Sequence, residues 1–130
     1  MLMRNDSVIL VADGIPEQAD FVQQLLRQMD YRVETAVSAE EVLKLIGREM
    51  LDRAIVAVEM TMDNEPTLAR LSRLPALNRL VAIGPAGDAE MEMLARRAGA
   101  HVYLARPVMA DPLAAALHIP VLSDSLARPP

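Results

Sequence analysis

The 130-residue chain contains no cysteine. That absence removes disulfides, thiolate metal sites and a thiol nucleophile together, and it accords with a reducing compartment. Tryptophan is absent too, and Phe21, Tyr31 and Tyr103 are the only aromatic residues, too few for the stacking platform that holds single-stranded nucleic acid. Lysine occurs once, at Lys44, and 13 Lys and Arg stand against 18 Asp and Glu, a formal net charge of −5. The arginines are scattered rather than striped, so they form no basic footprint for a run of phosphates, and nucleic acid is not expected as a direct partner. No apolar stretch approaches a membrane span, and the first seven residues are polar too early for a secretory signal. The expectation is a soluble cytoplasmic domain. The chain is 52% hydrophobic and 24% charged, which suits a globular core in a charged surface, and its length suits one domain.

Val8-Ile9-Leu10-Val11-Ala12 is a continuous apolar run, the pattern of a strand buried on both faces in a parallel sheet. Pro16 suits the first position of a helix, and Phe21, Val22, Leu25, Leu26 and Met29 give that helix one apolar face. Arg32 to Ala36 alternates like a strand with one exposed side, and Ser38-Ala39-Glu40-Glu41 has the spacing of a capping box. The helix that follows is expected to turn Ala39, Val42, Leu43, Ile46 and Met50 inward, with Gly47 weakening it by about 1 kcal/mol. Ala54 to Val58 repeats the buried-strand pattern and ends on Glu59. A short third helix is marked by Leu68, Leu71 and Leu74 between Pro66 and Pro75. Leu80 to Ile83 makes a fourth strand, stopped by Gly84-Pro85-Ala86-Gly87. Asp88 then caps a helix through Met91, Leu94, Ala95 and Ala98, closed by Gly99. Val102 to Ala105 is a fifth strand, and Asp111-Pro112 opens a last helix through Leu113, Ala116 and Leu117. Residues 1–118 are expected to form the domain and 119–130, polar and proline-bearing, a tail or linker.

Strands alternating with helices five times imply an α/β fold, a parallel sheet with helices on both faces and right-handed crossovers. In such a sheet functional groups gather beyond the carboxyl ends of the strands. Those positions hold Asp13 and Gly14, Glu59, Met60 and Thr61, then Gly84, Pro85 and Ala86, and finally Arg106 and Pro107.

From about Val8 to Leu117 the chain resembles the receiver domain of two-component response regulators. Ala98-Gly99-Ala100-His101-Val102-Tyr103-Leu104-Ala105-Arg106-Pro107 is similar to that family's ending of the fourth helix and fifth strand. Val56 to Met62 resembles the stretch that carries its phosphoacceptor aspartate. The resemblance implies a flavodoxin-like, five-stranded parallel sheet of order 2-1-3-4-5. It also implies a phosphoryl-transfer pocket with two acids for Mg²⁺, an acceptor aspartate, a Thr or Ser and a Lys. Asp13 fits the first acid. Gly14 offers no side-chain oxygen at the second, Glu59 stands at the acceptor, Pro85 replaces the hydroxyl and Arg106 replaces the lysine. The longer Glu59 side chain is misplaced for in-line attack, where an ångström matters. Pro85 lacks even an N–H, and Arg106 presents a planar fork instead of a compact ammonium. With the metal acid missing, the chemistry loses the charge it depends on.

The reading is therefore an atypical receiver that is not an enzyme, is not phosphorylated and uses no cofactor or metal. It would act on another signalling protein or an output domain through the face of the fourth helix, fifth strand and fifth helix, or as a homodimer. Arg96, Arg97, Tyr103 and Ala114 to Ala116 lie on that face. Arg106 and Glu59 are expected to pair, tying the fifth strand to the third. Two alternatives stand beside this: a conventional phosphoacceptor receiver in a phosphorelay, and a flavodoxin-like small-molecule enzyme, although a phosphate loop is missing at Asp13-Gly14-Ile15-Pro16. Tyr103 reads either as the family's switch aromatic or as half-buried packing. Met60 and Met62 read as gap fillers, Asp63 and Glu65 as residues of a solvated loop, and His101 and His118 as surface or helix-end residues.

Overall fold

Residues 8–118 are described by a computed structural model. In chain order the elements are β1 (Val8–Ala12), α1 (Pro16–Gln28), β2 (Val33–Ala36), α2 (Ala39–Arg48), β3 (Leu51–Ala57), β4 (Thr61–Met62), β5 (Glu65–Pro66), α3 (Thr67–Ser72), β6 (Arg79–Gly84), α4 (Ala89–Arg97), β7 (Val102–Ala105) and α5 (Ala110–His118). The apolar runs become the middle of the sheet because both of their faces are covered. Five parallel strands lie in the order β2-β1-β3-β6-β7, which is 2-1-3-4-5 when the parallel strands alone are counted.

Alternation along the strands divides the interior in two. Leu10, Ala12, Ala54, Val56, Leu80 and Ala82 face the layer of α2, α3 and α4, where Val42, Leu45, Leu68, Leu71 and Ala95 close over them. Ile9, Val11, Ile55, Val81 and Ile83 face α1 and α5 and meet Val22, Leu26, Leu113 and Ala116. The helix ends are fixed locally. Pro16 opens α1, and Ser38 Oγ accepts from the Glu41 N–H while Glu41 Oε1 accepts from the Val37 N–H. Asp88 Oδ1 accepts from the Met91 N–H. Gly99, at φ 112°, follows α4 in a conformation that a side chain disfavours.

Several expectations about faces are corrected. On α1 the buried stripe is Ala19, Val22 and Leu26, with Leu25 and Met29 partly covered. Phe21 lies one residue, about 100°, off that stripe and stays 49% exposed. On α2 the inward residues are Val42 and Leu45, with Ala39 and Ile46 partly covered. Leu43 and Leu45 lie nearly opposite each other on a helix, and the spacing i, i+3, i+4 of Val42, Leu45 and Ile46 wins, so Leu43 faces out. Met50 lies beyond the helix and is exposed. Leu94 of α4 is likewise exposed, and Ala95 alone of that helix is fully buried. The last helix starts before Asp111, with the Met109 carbonyl accepting the Leu113 N–H. The expected loop around Asp63 and Glu65 is a β4–β5 hairpin. Asp63 and Asn64 take φ of 51° and 64° at its turn, the left-handed pair that a tight hairpin requires. The expected tail, 119–130, lies outside the described residues.

Candidate functional site

Asp13 follows β1, its N–H bonded to the Ala36 carbonyl of β2. Its residue is 6% exposed. Oδ1 accepts from the Ile15 N–H at 2.9 Å, the local side-chain turn that aspartate favours. Burial pushes its carboxyl above the ordinary carboxylate range, and the Ile15 N–H and the Arg106 charge partly oppose this. The next residue, Gly14, is exposed, and a Cβ there would meet no atom within 4 Å.

Beyond β3 the chain bends, with the Val58 N–H bonded to the Ile83 carbonyl and the Met60 N–H to the Ala57 carbonyl. Glu59 sits on that bend, above the strand ends. Arg106 follows β7, its N–H bonded to the Gly84 carbonyl, and precedes a cis Pro107. The two side chains meet fork to fork: Arg106 Nη1 donates to Glu59 Oε2 at 2.9 Å and Nη2 to Oε1 at 2.7 Å. This is the strongest form of such a pair, and it joins positions 47 residues apart. The guanidinium bond holds the Glu59 carboxyl below its ordinary range and raises Arg106 in turn. Water still reaches the pair, since the side chains of Glu59 and Arg106 are 46% and 23% exposed.

Pro85 contributes its backbone. Tyr103 Oη donates to the Pro85 carbonyl at 2.8 Å, and the ring lies partly buried against the interior. Burial and the nearby Asp88 carboxylate raise the phenol's pKa. The ring fits there because residue 84 is glycine. A Cβ on Gly84 would come within 2.8 Å of the Tyr103 ring carbon Cζ and of Val58 Cγ1.

Asp13, Gly14, Glu59 and Arg106 thus surround one cleft of about 290 Å³, while Pro85 and Tyr103 form an adjoining unit joined to it through Gly84. The fit of Gly84 under Tyr103 and the lining role of Gln18 were missed from sequence. The first arises only when β6 and β7 pair. A spacing of i, i+5 from Asp13 across the start of a helix would have flagged the second. Met60 and Met62 are buried, as gap fillers are. His101, though exposed, takes the Leu80 N–H on Nδ1, and His118 bonds Tyr31 Oη at 2.7 Å. Both serve the opposite end of the sheet.

A family model described as the response regulator receiver domain matches residues 9–118. The chain belongs to that family. It is 34% identical over 108 residues to an uncharacterised 14.6 kDa protein in the sodA1 3′ region of Leptolyngbya boryana, covering 81% of each chain. Among solved structures it is similar to the signal receiver domain of an HD domain-containing protein from Pseudomonas fluorescens. The TM-score is 0.76 at 24% identity, over 95% of this chain and all of that one. A response regulator from Burkholderia pseudomallei, with a phosphorylated aspartic acid and a calcium ion, matches with a TM-score of 0.72 at 24% identity, over 96% of this chain and 76% of that one. At these identities the structural matches speak for the fold. As a receiver domain, the chain is a module of signal transduction that works with other signalling proteins or output domains. Among the described residues no helix is long and apolar enough to cross a membrane.

Receiver chemistry calls for a divalent cation, and the residues at this corner do not fit one. Asp13 commits one oxygen to Ile15, and Gly14 has no oxygen to add beyond its backbone. Both carboxylate oxygens of Glu59 are held by Arg106. Among the described residues no three His, Asp or Glu side chains converge as a metal site, whereas a cation of this class wants several oxygens at once.

Proposed function

We propose that this receiver domain signals without being phosphorylated, by protein-protein contact from a state held by its own side chains. Asp13, Gly14, Glu59, Pro85 and Arg106 are on this reading a degenerate phosphorylation pocket, and Tyr103 occupies the switch position. The observation that carries it is the two-pronged Arg106–Glu59 bond, which occupies both oxygens of the only carboxylate at the acceptor position and supplies internally the anion that phosphorylation would bring. The Tyr103 bond to the Pro85 carbonyl supports it further, because it needs no phosphoryl group to form. Partners bind on the face of α4, β7 and α5, as another signalling protein, an output domain or a second copy. The domain comprises 1–118, with 119–130 as tail or linker. It has no enzymatic activity and works in the cytoplasm.

The test is incubation with Mg²⁺ and acetyl phosphate, read by intact mass. No phosphoryl adduct is expected on the natural chain or on Gly14→Asp, Glu59→Asp, Pro85→Thr or Arg106→Lys singly. An adduct is expected only when all four are combined, because metal, acceptor and hydroxyl act together. An adduct on the natural chain would overturn the reading.

A further inference from the structure

A second, larger cleft of about 390 Å³ opens between α1 and the segment joining β7 to α5. Phe21, Val22, Ile83, Pro107 and Val108 line it, and one end is polar, formed by Asp13, Glu17, Gln18 and Arg106. A volume of this size, apolar walls and a few converging polar groups are the marks of a ligand site. Phe21 is one of the few large apolar side chains left exposed, and it stands at this wall.

The polar end has a definite sign. Asp13 is buried, commits one oxygen to Ile15 and makes no ion pair among the described residues. Glu17 adds a second carboxylate. Arg106 is the cation in the lining with them, and its two outer nitrogens are already held by Glu59. Gln18 Oε1 is a buried acceptor with no hydrogen-bond partner, and Arg106 Nε is a buried donor without one. Acceptors and negative charge therefore exceed donors and positive charge. A buried carboxylate without an ion-pair partner is costly unless something pairs with it, and an exposed aromatic ring beside it attracts cations by its face.

We propose that this cleft binds an organic cation, an alkylguanidinium or alkylammonium group with its stem against Phe21 and Val108 and its head on Asp13. This goes beyond the phosphorylation-independent reading and does not depend on how the acceptor position is used. The same chemistry is offered by a free amine and by a basic side chain of a partner, and the two arms of the test tell them apart.

The test is titration of n-butylguanidinium into the 130-residue protein, followed by NMR shifts of the Phe21 ring and the Val22, Ile83 and Val108 methyls. The neutral isostere n-butylurea is the control, and a capped Gly-Arg-Gly peptide is the second arm. Binding at those residues is expected, about tenfold or more weaker for n-butylurea and for Asp13→Asn. The amide of that variant keeps an oxygen for the Ile15 N–H, so the loop stays formed. Tighter binding of the peptide assigns the cleft to a partner's side chain, and tighter binding of n-butylguanidinium assigns it to a free cation. Equal affinity for the urea, no loss in Asp13→Asn, or no binding of either cation would overturn the proposal.

Discussion

Gly14 and Gly84 stand at the carboxyl ends of β1 and β6, the two strands that flank β3, and they differ in almost every respect. Around Gly84 the structure is closed: the Tyr103 ring and Val58 lie where a Cβ would go, the phenol is bonded to Pro85, and the Glu59–Arg106 fork spans the strand ends beside it. Around Gly14 there is open space, a solvent-facing turn and a buried aspartate that makes no ion pair among the described residues. One half of the corner has been fastened by bonds between its own residues. The other half is held by the bond from the Ile15 N–H to the Asp13 carboxylate. The proposed signalling by a fixed state rests on the fastened half, and the proposed ligand cleft borders the open half at Asp13.

The sharpest way to break the comparison is Gly84→Ala. The methyl would have to displace the Tyr103 ring, held by the pairing of β6 with β7, or Val58, whose N–H is bonded to the Ile83 carbonyl. Overpacking of this kind costs about 1–3 kcal/mol, and it should release the Tyr103 hydrogen bond at the same time. Chemical denaturation gives the stability loss, and tyrosine fluorescence or ring NMR shifts report whether Tyr103 has moved. An unchanged Tyr103 signal at full stability would mean that this half is not tightly fitted.

A smaller effect separates the two carboxylates by sign. The Glu59 carboxyl lies below its ordinary value of 4.5, so it stabilises the fold above that pH, and the contribution is lost as pH falls through the folded value. The Asp13 carboxyl lies above its ordinary value of 3.8, so it favours the native state when protonated, below that pH, and the contribution is lost as pH rises through the folded value. At neutral pH Glu59→Gln should therefore destabilise, by about 1 kcal/mol because water screens the pair, while Asp13→Asn should stabilise slightly. Both differences should close in acid. Denaturation curves for the two variants at neutral and acid pH check the signs, and a loss of stability in Asp13→Asn at neutral pH would place the strain elsewhere.

The fastened half was partly legible in the sequence, because Glu59 and Arg106 are complementary charges at the ends of recognisable strands. Its other bond was not, since the Tyr103 partner is a backbone carbonyl and any residue at 85 carries one. The covering of both sheet faces followed from continuous apolar runs, whereas the strand order followed from the resemblance to receiver domains. Helix faces were harder where apolar residues outnumber the positions that can point inward, as with Leu43 and Leu45 on α2. The β4–β5 hairpin was hidden because its strands are two residues long and its Asp63-Asn64 turn lacks the glycine that usually announces one. The larger cleft was hidden by the rule that an aromatic residue belongs to the core, which Phe21 breaks.

Gly14→Ala is the smallest expected effect and the most direct comparison, since it adds to the open half the same methyl that Gly84→Ala adds to the closed one. Gly84 has no tolerance for a Cβ, whereas at Gly14 the Cβ meets nothing within 4 Å, and φ lies outside the positive range in which a side chain is strained. Stability should change by less than about 0.5 kcal/mol, towards a gain, because alanine narrows the freedom of the unfolded chain. Thermal or chemical denaturation of the two variants side by side measures the contrast. If the two cost the same, the β1 corner is as tightly held as the β6 corner. If they differ as stated, the space beside Gly14 is one that a side chain can fill without moving the fold.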